Sequence, residues 1–143
     1  MKIHFKKLDS KAQKPKFGKP GDAGADLVAT SVDFSRDNNN QIVYGTGLAV
    51  EIPEGMVGLV FPRSSVRNYN LSMANSVGVI DSGYRGELQA TFKKTQGLDS
   101  IKYNVGDRGA QIIILPYPQV FMTEVPELSE SDRGQGGFGS TGK

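Results

Sequence analysis

A guanidinium and two hydroxyls stand together in Pro62-Arg63-Ser64-Ser65, directly after an apolar run that ends at Phe61. A strand end delivering those groups suits an oxyanion, with Arg63 as the charge and Ser64 as hydroxyl and amide donor. Serine beside proline is also the ordinary pattern of a helix cap, here from Ser64 or Ser65. A second group, Gly78-Val79-Ile80-Asp81-Ser82-Gly83-Tyr84-Arg85-Gly86-Glu87, packs three glycines into nine residues. That spacing predicts a tight hairpin whose tip presents Asp81 and Tyr84 close together. A carboxylate beside a ring is what a sugar site with a general base requires, although Asp81 capping its own backbone is the plainer reading. Two further segments, Gly21 to Leu27 and Gly106 to Gln111, each read alone as an acidic turn entering a strand. The last ten residues hold five of the 18 glycines. Such glycines let backbone N–H groups approach phosphate oxygens, while Arg133, Ser140 and Thr141 add donors and Phe138 offers a ring to stack on a base.

The glycine tail also contains two misleading patterns. Gly134, Gly136 and Gly139 satisfy the dinucleotide fingerprint, and Gly137 to Lys143 spells most of a phosphate loop. Both motifs need a helix after them, and the given sequence ends at Lys143, so neither is accepted.

Composition narrows the chemistry further. The 143 residues include no Cys and one His, at position 4. Disulfides, a thiol nucleophile and sulfur or multi-histidine metal sites are excluded. Any catalysis must run on carboxylates, hydroxyls, amides, Lys, Arg, Tyr and backbone. The first 20 residues hold seven Lys and one Asp, a net of +6, against −4 for the remaining 123. Such an arm can attract nucleic acid or a membrane surface, but only Phe5 and Phe17 interleave with the lysines. A solvated segment is the expectation, with no nucleic-acid partner. No secretory apolar region follows Met1, and no apolar run nears the ~20 residues of a membrane span. A soluble protein with no membrane partner is expected, cytoplasmic or in the host-cell interior if it comes from a phage or virus.

The elements that must position these groups are strands. Helical periodicity is nearly absent, and short alternating or apolar runs recur between turn residues. Candidate strands are Lys2–Leu8, Leu27–Phe34, Gln41–Ile52, Met56–Phe61, Ser76–Ile80, Glu87–Lys94, Lys102–Val105, Gln111–Leu115 and Val120–Glu124. Ile112–Leu115 is continuously apolar and is expected to be buried on both faces. Asp37 to Asn40, Pro53-Glu54-Gly55 and Gly106-Asp107 supply turns, and a turn or two of helix is expected after Pro62. The expected fold class is all-β, a jelly-roll-like barrel or sandwich, with a flexible Gly-rich C-terminal arm. The expected division is one domain over 1–124 and an arm over 125–143.

In this order the five segments resemble the motifs of the trimeric dUTP pyrophosphatase (dUTPase) family. They run from Ala23-Gly24-Ala25-Asp26-Leu27 through Pro62 to Ser65, Gly78 to Glu87 and Gly106 to Gln111, ending with Arg133 to Gly142. The resemblance implies a dUTPase-like β-clip and a homotrimer with active sites at subunit interfaces, each closed by a C-terminal arm. It implies hydrolysis of dUTP to dUMP and pyrophosphate, assisted by Mg²⁺. By position, Asp81 resembles the carboxylate that activates the attacking water, and Tyr84 the ring under the deoxyribose that excludes a 2′-hydroxyl. Asn75 with the backbone of Gly78, Val79 and Ile80 resembles the uracil reader. Arg63, Ser64, Ser65 and Gln111 resemble contacts to phosphate or water, with Gln111 counted among the catalytic groups. Asp26 resembles the acid that meets Mg²⁺ through its water shell. In the arm, Phe138 resembles the ring stacked on uracil, while Arg133, Gly139, Ser140 and Thr141 resemble the terminal-phosphate grip.

Ala25 and Ser65 depart from the family's usual residues, a larger side chain and Gly. Arg63-Ser64-Ser65 is shared with the related dCTP deaminases, but their catalytic Glu ten residues past the hairpin Asp is Thr91 here. A binding module of the same fold is the other alternative, supported by the Lys-rich start.

Overall fold

Strand follows strand because short β-branched and aromatic runs alternate with glycine, proline and asparagine turns. The computed structural model describes residues 1–34, 41–95 and 103–137. Its strands are β1 (His4–Lys7), β2 (Ala25–Val28), β3 (Ser31–Phe34), β4 (Gln41–Gly45), β5 (Leu48–Glu51) and β6 (Met56–Pro62), then β7 (Leu71–Met73), β8 (Gly78–Ile80), β9 (Gln89–Lys94) and β10 (Arg108–Pro116). One 3-10 helix, Ser64–Asn68, follows β6. All pairings are antiparallel: β2-β10-β6-β8 in one sheet, β3-β4-β9-β7 in a second, and β1-β5 as a ribbon. The fold is all-β and jelly-roll-like, and the sheets are not closed into a barrel. No helix among the described residues is long and apolar enough to cross a membrane.

Alternation along each strand builds the core. Leu27, Val60 and Ile112 of the first sheet join Ile42, Tyr44, Ala90 and Phe92 of the second in one buried cluster. Tyr44, Phe92 and Tyr103 pack edge-on or tilted, with ring centroids 5.8–6.0 Å apart, the geometry aromatic quadrupoles favour.

Several expected strands are divided or absent. Leu27–Phe34 breaks at Ala29–Thr30, because Ala29 N–H donates to Asp107 O while Thr30 N–H donates to Gly45 O. The chain thereby passes from one sheet to the other. Gln41–Ile52 breaks at Thr46–Gly47, where Gly47 has φ +64° and a Cβ would stand 2.9 Å from Asp9 Cβ. Tyr103–Val105 is not a strand, and Lys102 lies outside the described residues, as do Asp37 to Asn40. Val120–Glu124 is not a strand either: it pairs with no described strand, and Phe121 and Met122 are 87% and 94% exposed. Leu71–Met73 was not anticipated, being too short to show a period.

The double burial expected of Ile112–Leu115 holds on one side only. Ile112 is buried, whereas Leu115 is exposed on the outward face of its sheet. Val57, Leu59, Phe61, Ile113 and Val79 share that face by register. Val79 and Leu115 are exposed on it, and the other four are half-buried.

The Tyr44 hydroxyl is buried without a hydrogen-bond partner among the described residues. Burial pushes the phenol up to about 12, with the Tyr103 backbone offsetting part of that shift. An unfolded chain ionises its tyrosines near pH 10, so between pH 10 and 12 the folded form holds a proton that the unfolded form has lost. Stability is therefore complete below pH 10 and falls as pH rises to 12, by about 3 kcal/mol from this group. Tyr44→Phe is expected to raise stability at pH 8 by about 1–3 kcal/mol, the cost of an unmade buried hydrogen bond. It is also expected to flatten the alkaline loss, both read from urea unfolding at pH 8 and 11.

Candidate active site

The first cluster forms where β2, β6 and β10 lie side by side. Gln111 sits opposite Asp26 on one flank and Phe61 on the other. Cross-strand partners share a face, so Asp26 and Gln111 both point to the outward side. Asp26 Oδ1 accepts from Arg63 Nε at 2.6 Å, and Oδ2 from Arg108 Nη1 at 3.1 Å. The Asp26 side chain is only 11% exposed, so these charge-assisted bonds also offset its desolvation. Gln111 Nε2 donates to Pro62 O at 3.1 Å. Gly24 leaves room for that amide, since any Cβ there would collide with Gln111 Oε1. A cleft of about 360 Å³ opens beside it, lined by Gly18, Asp22, Ala23, Gly24, Asp26, Gln111 and Ile113.

Arg63 occupies the N-cap position of the 3-10 helix in extended backbone, φ −81° and ψ 156°, and no side chain caps that end. The expectation that Ser64 or Ser65 caps it is thus corrected: both lie inside the helix, and the Arg63 carbonyl accepts the Val66 N–H. Ser64 is exposed. Ser65 Oγ lies 3.3 Å from the Tyr103 hydroxyl, tying the segment to the aromatic core.

The second cluster follows β8. Ser76 adopts φ 61°, and the Val77 N–H donates to Asn75 O at 2.6 Å, folding the chain into β8. The segment expected as a hairpin is instead a link between sheets, because β8 pairs with β6 while β9 pairs with β4 and β7. Three glycines signalled a tight turn but not which strands it joins. Asp81 and Tyr84 do come together: Tyr84 N–H donates to Asp81 O at 3.1 Å, and both residues are exposed. Tyr84 Oη donates to Glu87 O at 3.0 Å.

In the tail, Arg133 Nε donates to Gly136 O at 2.9 Å, and turns run from Ser131 to Gly136. Phe138, Gly139, Ser140 and Thr141 lie outside the described residues.

One chain does not unite the two clusters. Ile80 faces Gly58, which faces Ile114, so Asp81 falls about four residues along β10 from Gln111 and two strands across. At 3.3 Å per residue and 4.8 Å per strand the separation is about 16 Å. No group of three or more His, Asp or Glu able to hold a metal exists among the described residues. Both Asp26 oxygens already meet guanidiniums, so an all-protein metal cage does not fit. A hydrated Mg²⁺ carried by phosphates does fit, since such an ion keeps its waters and needs only one nearby carboxylate.

The dUTPase family model matches residues 10–142. The chain belongs to the dUTPase family. It is 41% identical over 142 residues to the deoxyuridine 5'-triphosphate nucleotidohydrolase of Corynebacterium glutamicum, covering 99% of this chain and 95% of that protein. It is similar to the dUTPase of Staphylococcus bacteriophage 80alpha with dUPNHPP, TM-score 0.85 and 29% identity, covering 99% of both chains. It also resembles a dUTPase from phage phi11 of S. aureus described for the coordination of a structural Mg(II) ion, TM-score 0.72 and 27% identity, over 89% of this chain and 98% of that one. Within this dUTPase-family chain, Arg108 is the member of the Asp26 cluster not singled out from sequence. Its signal was present: a nearly buried Asp26 needs cations, and Arg108 lies in the Gly106-to-Gln111 segment.

Asp26→Asn is expected to fold and to lose about 1–3 kcal/mol, the value of charge-assisted bonds left half-made. The thermal midpoint checks this; an unchanged midpoint would mean that the two arginines do not depend on the carboxylate.

Proposed function

We propose that this chain hydrolyses dUTP to dUMP and pyrophosphate, limiting uracil entry into DNA and supplying dUMP. The observation that carries this reading is the edge strand β8, whose outer side pairs with no described strand. Its Gly78–Ile80 backbone can present donors and acceptors to a pyrimidine imide, with Asp81 and Tyr84 immediately following. A uracil held there, with the Asn75 amide closing on it, places its sugar over Tyr84. A narrow backbone slot rejects thymine by its methyl group and cytosine by mismatched donors.

Asp81 is the general base in this reading. Its carboxylate orients and deprotonates a water for in-line attack at the α-phosphorus, and pyrophosphate leaves. Arg63, Ser64, Ser65 and Gln111 hold phosphate oxygens or water. Arg63 and Arg133 stabilise the charge that develops. Ser64 is no nucleophile in this reading, since its hydroxyl has no hydrogen bond to a base among the described residues. Asp26 meets the water shell of Mg²⁺, which when bound neutralises the triphosphate. The tail from residue 125 acts as an arm on the domain formed by 1–124. Phe138 stacks on the base, and Gly139, Ser140 and Thr141 join Arg133 on the terminal phosphates.

These parts meet only between copies. Two features support a homotrimer: the apolar face of β6, β8 and β10, on which Val79 and Leu115 are exposed, and the exposed Phe121 and Met122. Such surfaces are costly to leave in water. In the assembly the Asp26–Arg63–Gln111 cluster of one subunit faces the Asp81–Tyr84 turn of another.

Pyrophosphate release with Mg²⁺ present is expected from dUTP, with far less from dTTP, dCTP or UTP, and Asp81→Asn is expected to abolish it while dUMP still binds. Ammonia released from dCTP would favour a deaminase instead.

Subunit mixing tests the shared site. Asp81→Asn and Gln111→Ala chains, each nearly inactive alone, are expected to recover a substantial part of wild-type activity when refolded together. No recovery would place both groups in the same subunit's site.

A further inference from the structure

Between Ile80 and Gln89 the chain belongs to no strand, and one backbone turn bond, Tyr84 N–H to Asp81 O, closes its tip. Two neighbouring side groups account for the rest of its shape. Arg85 Nη1 donates to Ser82 O at 2.6 Å and to Tyr84 O at 2.9 Å. Its Nη2 lies 3.6 Å from Glu51 Oε1, and Glu51 Oε2 meets His4 Nδ1 at 3.0 Å. Glu51 and His4 stand directly opposite each other in the β1-β5 ribbon. The guanidinium therefore ties the tip carbonyls to a paired strand. The His4 hydrogen bond and the Arg85 charge hold the Glu51 carboxyl below its ordinary range. Exposed pairs of this kind add little to folding stability; what this one governs is the shape of the turn.

The second group is an absence of atoms. The Tyr84 ring lies over Gly86, where a Cβ would stand 2.5 Å from Cζ and 2.9 Å from Cε2. Real Cβ contacts are not that short, so any side chain at 86 lifts the far end of the ring. The Oη bond to Glu87 O at 3.0 Å would break with it. The ring is 43% exposed, so one side is seated on the turn while another stays open to a ligand.

We propose that Gly86 and Arg85 are positioning residues that seat the Tyr84 ring and thereby set the choice between deoxyribose and ribose. The inference rests on the reading of Tyr84 under Proposed function. Excluding a 2′-hydroxyl is a steric contact, and a ring raised by an ångström changes that contact more than it changes the fold.

The test compares kcat and KM for dUTP and UTP in the full-length protein and in Gly86→Ala, Arg85→Met and Tyr84→Ala. Gly86→Ala is expected to narrow the preference for dUTP by about tenfold or more, through a higher KM for dUTP with a smaller change in kcat. Arg85→Met is expected to narrow it in the same sense, and Arg85→Lys to restore part of it by donating to the same carbonyls. Thermal melts identify a variant that fails to fold; if Gly86→Ala does, the Arg85 pair carries the test. Loss of preference in Tyr84→Ala, with wild-type preference in the folded positioning variants, overturns this inference and leaves the Tyr84 reading standing. Unchanged preference in Tyr84→Ala overturns both.

Discussion

The seven-residue ladder between β6 and β10 is the constraint on which the rest depends. It runs from Ala110 opposite Pro62 to Pro116 opposite Met56. Side chains alternate with a period of two, so a one-residue slip would move every one of them to the other face. In the observed register Val60 and Ile112 enter the core, while Phe61 and Gln111 turn outward. The same register puts Gln111 beside Asp26 through β2, and Asp81 two rows away through β8. Asp26 and Gln111 thus lie on the face opposite the core, among half-buried and exposed apolar neighbours.

Charge organises one end of that face and backbone geometry the other. At the Asp26 end, one carboxylate with two guanidiniums brings together the loop after β6 and the start of β10. At the Asp81 end, the turn depends on a guanidinium bonded to carbonyls and on a glycine beneath a ring. The first arrangement suits phosphate, because the arginines keep their positive charge on the outward side. The second suits a nucleoside, because it joins an unpaired strand edge to an exposed ring.

Much of this was legible in the residues. Alternating and apolar runs located β1, β6, β8, β9 and β10 to within a few residues, and β6, β9 and β10 have enough length to show their period. The long runs 27–34 and 41–52 were harder. Their apolar pattern continues across corners that are made by backbone, at Ala29–Thr30 and at Gly47, where the chain exchanges one sheet for another. Leu71–Met73 has only three residues and no longer apolar run around it, whereas the equally short β8 lies inside the expected run Ser76–Ile80. Val120–Glu124 has the composition of a strand, but a strand needs an edge to bond to. The turn at Asp81 and Tyr84 was visible in its glycines, whereas its role as a link between sheets was not.

By itself, the sequence determined the chemical inventory: no thiol, one histidine, and five separate segments carrying carboxylates, arginines, hydroxyls and glycines in family order. It also determined an all-β fold, because alternation is a local property of residues two apart. The tertiary structure alone decided which of those segments meet. Arg108 joins Asp26 across 82 residues of chain, while Asp81, one residue past β8, falls about 16 Å from Gln111 by strand spacing. Proximity across that distance is set by strand order and register, which are collective properties of the packed sheets and leave no mark on any short stretch of residues.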